Sequence, residues 1–150
     1  MRLVVCIAVC MAAAGIGSLM TTPALRPWYS GLSKPDWTPP NWVFAPVWTI
    51  LFLGMAVAAW IVWSRVGPRA AAMESFLLQL LLNVAWSALF FGLNAPGAAF
   101  AEIVILWFAI LMTSIEFWRV APAAGWLLLP YLVWVGFAAA LNFSIWRLNA

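Results

Sequence analysis

Seven basic and four acidic side chains are all the formal charge in a chain of 150 residues, 67% of which are hydrophobic. A water-soluble fold covers roughly 25–35% of its surface with charged residues. So few charges cannot clothe a globule of this size, and the solvent has to be lipid. Inside a bilayer every backbone N–H and C=O must be satisfied within the protein, which leaves helices or closed barrels. Five apolar segments approach the roughly 20 residues that a spanning helix needs. They are Leu3–Thr22, Asn41–Trp63, Met73–Leu93, Gly97–Trp118 and Pro122–Trp146. They are too long for barrel strands and lack a two-residue alternation. The expected fold is therefore an all-α membrane protein, a five-helix bundle forming one domain over residues 1–150.

The connections are short with one exception. Gly67-Pro68 turns the second link and Asn94-Ala95-Pro96-Gly97 the third, and Arg119 to Pro122 joins the last two helices. The exception is Pro23–Pro40, with five prolines, Trp28, Tyr29 and Trp37. So many rigid and aromatic residues predict an ordered cover over one end of the bundle, with a loop resting on lipid headgroups as the alternative. The first span follows Arg2 as a secretory leader would, but its small-residue cleavage pattern is poor, so it is read as a retained helix. Arg2, Arg65, Arg69 and Arg119 fall on one side of the membrane and Arg26, Lys34 and Arg147 on the other. That balance is too even for the positive-inside rule to set the orientation.

Composition also removes whole classes of function. With no histidine there is no imidazole for a nucleophilic triad, a zinc site or haem iron. Cys6 and Cys10 lie one turn apart on a single apolar helix, which predicts inert thiols and no metal site. The dispersed net charge of +3 forms no basic patch, so no nucleic-acid partner is expected.

What remains is aromatic. The chain holds twelve tryptophans, and Trp28, Trp37, Trp42, Trp63, Trp118, Trp126 and Trp146 fall near span ends, where an interfacial belt would put them. Trp48, Trp86, Trp107 and Trp134 fall near mid-span, one on each of four helices. Helical spacing puts Phe44, Trp48 and Phe52 on one face, and Gln79, Asn83 and Trp86 on another. Tyr131, Trp134, Ala138 and Leu141 share a third, with Asn142 beside them. Amides within a span face the bundle, since lipid offers them no partner. Such a set fits a pocket for a planar apolar ligand such as a porphyrin. It fits equally well indoles and amides that merely hold helices together, and Gln79 with Asn83 favours that structural role. Glu116 and Arg119, three apart, are expected to pair at the membrane surface. Pro46 and Pro130 each remove a helix hydrogen bond and favour a kink.

Three of these stretches carry a resemblance. Trp37-Thr38-Pro39-Pro40-Asn41-Trp42-Val43-Phe44-Ala45-Pro46-Val47-Trp48 is similar to the signature of the TspO/MBR family, the tryptophan-rich sensory proteins, translocator proteins and peripheral benzodiazepine receptors. The run from Gln79 through Asn83 and Trp86 to Phe90-Phe91 resembles its third-helix motif. Pro130-Tyr131-Leu132-Val133-Trp134 with Leu141-Asn142 resembles its fifth-helix motif. The resemblance implies a five-helix bundle, usually a homodimer, whose pocket between the helices binds protoporphyrin IX or a related tetrapyrrole. It implies that isoquinoline carboxamides and benzodiazepines fit the same pocket. By motif, the ligand-binding residues would be Tyr29, Pro39, Phe44, Trp48, Asn83, Trp86, Trp134 and Ala138. Trp48 and Trp134 would match the residues linked to light-dependent porphyrin breakdown. Phe52 stands where the family usually has tyrosine. The sterol motif of animal relatives lacks its tyrosine here, reading Leu141-Asn142-Phe143-Ser144-Ile145-Trp146-Arg147, and is weak even when complete.

Three functions are compatible with this reading. The first is tetrapyrrole binding and sensing, with no required cofactor and no metal. The second is photochemical porphyrin consumption through Trp48 and Trp134. The third is passive transport of porphyrins or other lipophiles; neither inverted repeats nor core charges support a coupled pump. Planar lipophilic ligands, membrane lipid and a second copy of the chain are the expected partners, and the bacterial inner membrane the expected location.

Overall fold

The computed structural model describes residues 1–150. Five helices, α1 (Arg2–Leu25), α2 (Asn41–Val66), α3 (Ala71–Ser87), α4 (Pro96–Val120) and α5 (Pro122–Leu148), run up and down through the bundle, and there is no strand. With the π turn that extends α3, all five are long and apolar enough to cross a membrane. Their boundaries follow local chemistry. Pro96 and Pro122 open α4 and α5 at a position where a missing N–H costs nothing. Gly67 ends α2 with φ +85°, a left-handed conformation that suits a residue without Cβ.

Two boundaries differ from the sequence expectation. Pro23 does not end the first helix. It sits in the last turns of α1, which continues to Leu25, so the connecting segment shortens to Arg26–Pro40. That segment is ordered and contains a 3₁₀ turn at Tyr29–Gly31. After α3 the chain winds more loosely, through a π turn at Ala88–Gly92 closed by Leu93 N–H donating to Ala88 O at 2.8 Å.

Small residues on α2 set how closely its neighbours approach. Ala56, Ala58 and Ala59 of α2 are fully buried and let α1 and α5 approach closely. α5 lies along both α4 and α2, and α3 packs on α4, where Phe76 stacks on Phe117 at 5.6 Å. Around them the larger of two buried clusters draws on all five helices, and the smaller gathers Tyr29, Phe90, Ala99, Leu141 and Ile145 near the roof. α4 and α5 pack tightly at both ends. A Cβ on Gly125 would sit 2.9 Å from Trp118 Cβ, and one on Gly97 2.9 Å from the Trp146 indole nitrogen.

Buried polar groups stitch these helices together. Tyr131 Oη, on α5, donates to Gln79 Oε1 and accepts from Asn83 Nδ2, both at 2.9 Å. Asn142 accepts from Trp86 Nε1 at 3.0 Å and donates to Pro96 O at 2.7 Å, joining α3, α4 and α5. The expected Glu116–Arg119 pair does not form. Glu116 is half-buried with Oε2 enclosed and without a hydrogen-bond partner, while Arg119 is exposed.

Candidate functional site

A cavity of about 520 Å³ lies between α1, α2, α3 and α5, beneath the 3₁₀ turn. Small-molecule sites occupy roughly 300–1,000 Å³. α2 begins at Asn41, so its i, i+3 and i+4 positions lay Phe44, Trp48 and Phe52 along one wall. The opposite wall is Asn83, Trp86 and Ser87 of α3, extended by Phe90 and Phe91 of the π turn. α5 closes the back with Trp134, Ala138, Leu141 and Asn142. α1 supplies small and hydroxyl-bearing residues, among them Ala14, Gly17, Ser18 and Thr21.

The aromatic rings hold one another in place. Phe44 meets Trp134 edge-on at 5.9 Å, Trp48 meets Tyr131 at 6.2 Å, and Trp86 stacks on Phe90 at 5.5 Å. Such pairs prefer offset or edge-to-face geometry because of the ring quadrupole. Trp86 is further fixed by its bond to Asn142, and Asn83 by its bond to Tyr131. The rings are thus oriented by the fold itself. Trp134 Nε1 alone among the indoles is enclosed with no acceptor.

The connecting segment forms the roof. Trp28 packs on Phe90 at 5.4 Å and Tyr29 on Phe91 at 5.8 Å. Lys34 Nζ donates to Tyr29 O at 2.7 Å and Leu32 O at 2.9 Å, and lies 4.8 Å from the Tyr29 ring centre. Burial of the phenol pushes the Tyr29 pKa above its ordinary value.

Seven of the eight motif-matched residues lie on this one cavity: Tyr29, Phe44, Trp48, Asn83, Trp86, Trp134 and Ala138. Pro39 does not line it; it precedes α2 in the connecting segment. Trp107, grouped by depth with the central indoles, is also elsewhere. No residue of α4 reaches the cavity, and Trp107 instead borders an outer notch with Val104, Gly136 and Ala139. Depth along a helix fixed its level but not its facing. Gln79 serves Tyr131 rather than the cavity, as its helix-joining role predicts.

Sequence reasoning missed the α1 wall and the pair Phe90 and Phe91. The α1 residues had a signal, the small-residue spacing of Ala13 with Gly17 and of Ala14 with Ser18, which reads as helix contact rather than as cavity. Neither carboxylate nor thiol lines the cavity. What the site offers is flat apolar faces, hydroxyls and amides, suited to enclosing a planar molecule rather than to moving protons.

The sequence profile of the TspO/MBR family matches residues 6–147. The tryptophan-rich protein TspO of Chlorobaculum tepidum is 43% identical, over 99% of this chain and 96% of its own length. That of Archaeoglobus fulgidus is 40% identical over 100% and 98%. The human translocator protein is 37% identical over 81% of this chain and 75% of its own. With five helices that can span a bilayer, this likeness makes the chain a multi-pass integral membrane protein.

Proposed function

The chain belongs to the TspO/MBR family, and we propose that it binds and senses tetrapyrroles of the protoporphyrin IX type within the membrane. The observation that carries this reading is the cavity of about 520 Å³ walled by oriented aromatic rings from three helices and roofed by Tyr29. Flat apolar faces that the fold already orients favour a planar apolar ligand, because little ordering is needed on binding. The same shape suits isoquinoline and benzodiazepine compounds. The proposed setting is a homodimer in a bacterial inner membrane, surrounded by lipid. No cofactor is required for binding alone, and the free-base porphyrin is the ligand that fits a chain without histidine.

Titration of purified protein with protoporphyrin IX in the dark tests it. Saturable quenching of tryptophan emission is expected, weakened in Trp48→Phe and Trp134→Phe. Quenching that stays linear with porphyrin concentration, as free collision gives, sinks the proposal.

A second reading has a specific support: Trp48 and Trp134 lie on the same cavity. An indole beside a photoexcited porphyrin is an electron donor, so illumination in air would consume the bound ligand. Under illumination, loss of porphyrin absorbance that disappears in the double Phe variant favours this reading. Loss at the same rate in both proteins removes it.

A further inference from the structure

The cavity has two ends, and they differ in how they are closed. At the water-facing end the roof is tied down. Lys34 holds two backbone carbonyls of the roof. Asn149, beyond the end of α5, clasps Ser33 with two hydrogen bonds, accepting from Ser33 N–H at 3.0 Å and donating to Ser33 O at 2.8 Å. Trp28 and Tyr29 beneath are packed on Phe90 and Phe91.

The side facing lipid is different. All of the cavity-lining residues that are exposed on the outside of the bundle belong to two helices: Gly15, Ser18 and Thr22 of α1, and Asn41, Ala45 and Thr49 of α2. The lining residues of α3 and α5 are buried or half-buried. Lower down, the same two helices are sealed. Cys6, Cys10 and Ala13 of α1 share the buried core with the C-terminal half of α2. The pair therefore parts toward the roof and leaves a wedge-shaped gap.

Gly15 to Thr22 spans about 10 Å of helix and Asn41 to Thr49 about 12 Å. One leaflet's hydrocarbon is about 15 Å deep. A gap of this length, ending at Thr22 and Asn41 beside the roof, fits within the roof-side leaflet. Its hydroxyls are satisfied along their own helices: Thr49 Oγ1 donates to Ala45 O at 2.8 Å, and Ser18 Oγ and Thr22 Oγ1 are 3.4 Å apart. With these hydroxyls already engaged along their own helices, the rim offers an apolar body little polar obstruction. A Cβ on Gly15 would meet nothing within 4 Å, so the rim is open space there and not a packed contact.

We propose that the cavity is loaded from the membrane, by a planar amphiphile that partitions into the roof-side leaflet and passes between α1 and α2, while the roof stays shut. The polar edge of the ligand travels near Asn41 and Thr22, and its ring system enters past Gly15 and Thr49. The inference rests on the tetrapyrrole reading in its choice of ligand, so the experiment separates the two.

Protein in lipid nanodiscs is mixed in stopped flow with vesicles carrying protoporphyrin IX. Gly15→Leu places a side chain in the gap, and Ala45→Leu does so from the opposite rim should the first variant fold poorly. A blocked path slows arrival and departure alike, so both rates are expected to fall by about tenfold while Kd changes less than about twofold. Asn149→Ala, which frees the roof, is expected to leave both rates unchanged. Faster exchange in Asn149→Ala with no effect of either leucine overturns the lateral route, as does a change in Kd that comes from only one of the two rates. A second readout needs no porphyrin. Acyl-chain-brominated lipid quenches indoles on near contact, and the share of quenching lost in Trp48→Phe reports lipid at the cavity. Gly15→Leu is expected to lower that share, and an undiminished share contradicts the gap even where porphyrin fails to bind.

Discussion

Tyr131 shows what one side chain contributes. It is buried among apolar residues, yet its hydroxyl both donates and accepts, and through it α5 is joined to Gln79 and Asn83 of α3. Tyr131→Phe would leave an amide oxygen and an amide N–H unpaired in the bundle. The expected cost is about 1–2 kcal/mol, read as a lower unfolding temperature in detergent. Tyr29 makes a pH-dependent counterpart. Burial raises its phenol pKa, so the docked roof keeps a proton that a released roof loses above about pH 10. Docking is at full strength below that pH and weakens as pH rises through the raised value. Phenolate absorbance should therefore show one tyrosine titrating above its ordinary range, and Tyr29→Phe should remove that step. These contacts were only partly legible in the sequence. An amide inside a span announces that it needs a partner, so Gln79 and Asn83 were found. Which hydroxyl meets them depends on helix rotation, which spacing within one helix does not set.

At the scale of the helix, glycines separate tight contacts from open ones. Gly125→Ala would push a Cβ to 2.9 Å from Trp118 Cβ and 3.1 Å from Trp118 Cα, and backbone cannot yield as a flexible side chain can. A loss of about 1–3 kcal/mol is expected, again read by thermal unfolding. Gly15→Ala meets nothing and gains helix propensity, so its unfolding temperature should be equal or higher. If both substitutions behave alike, the α4–α5 corner is not packed as described. Sequence reading located all five helices, since length and apolarity decide what can cross a bilayer. It misplaced ends where competing effects are small: Pro23 sits two residues before the end of α1, where its missing N–H costs the helix one bond, to the carbonyl of Leu19 upstream. The π turn at Ala88–Gly92 left no periodic signal, because the apolar run of Leu89, Phe90 and Phe91 reads the same for either winding. That turn is what brings Phe90 and Phe91 to the cavity together. Facing was the other limit. Phe44, Trp48 and Phe52 were correctly grouped because one helix carries all three, whereas Trp107 turned outward with α4, which lies behind α3 and α5 as seen from the cavity.

The whole molecule is a five-helix bundle around a cavity walled by aromatic rings, tied shut at its water-facing end and parted toward lipid on one side. None of the residues lining the cavity is charged, which fits a chain with so little charge to place. Assembly as a homodimer is a separate expectation, and light scattering in detergent should give twice the 16.5 kDa chain mass. A single monomer mass would remove that part of the proposal without touching the cavity. The site itself is best tested by filling it. Ala138 faces the cavity from α5 and is 8% exposed, whereas Ala140 on the same helix faces outward. Protoporphyrin IX affinity should be measured on Ala138→Phe and Ala140→Phe side by side, after both are shown to fold. A bound tetrapyrrole in this cavity requires at least about a tenfold loss for Ala138→Phe and none for Ala140→Phe. Equal affinity in the two variants would place the ligand somewhere other than this cavity.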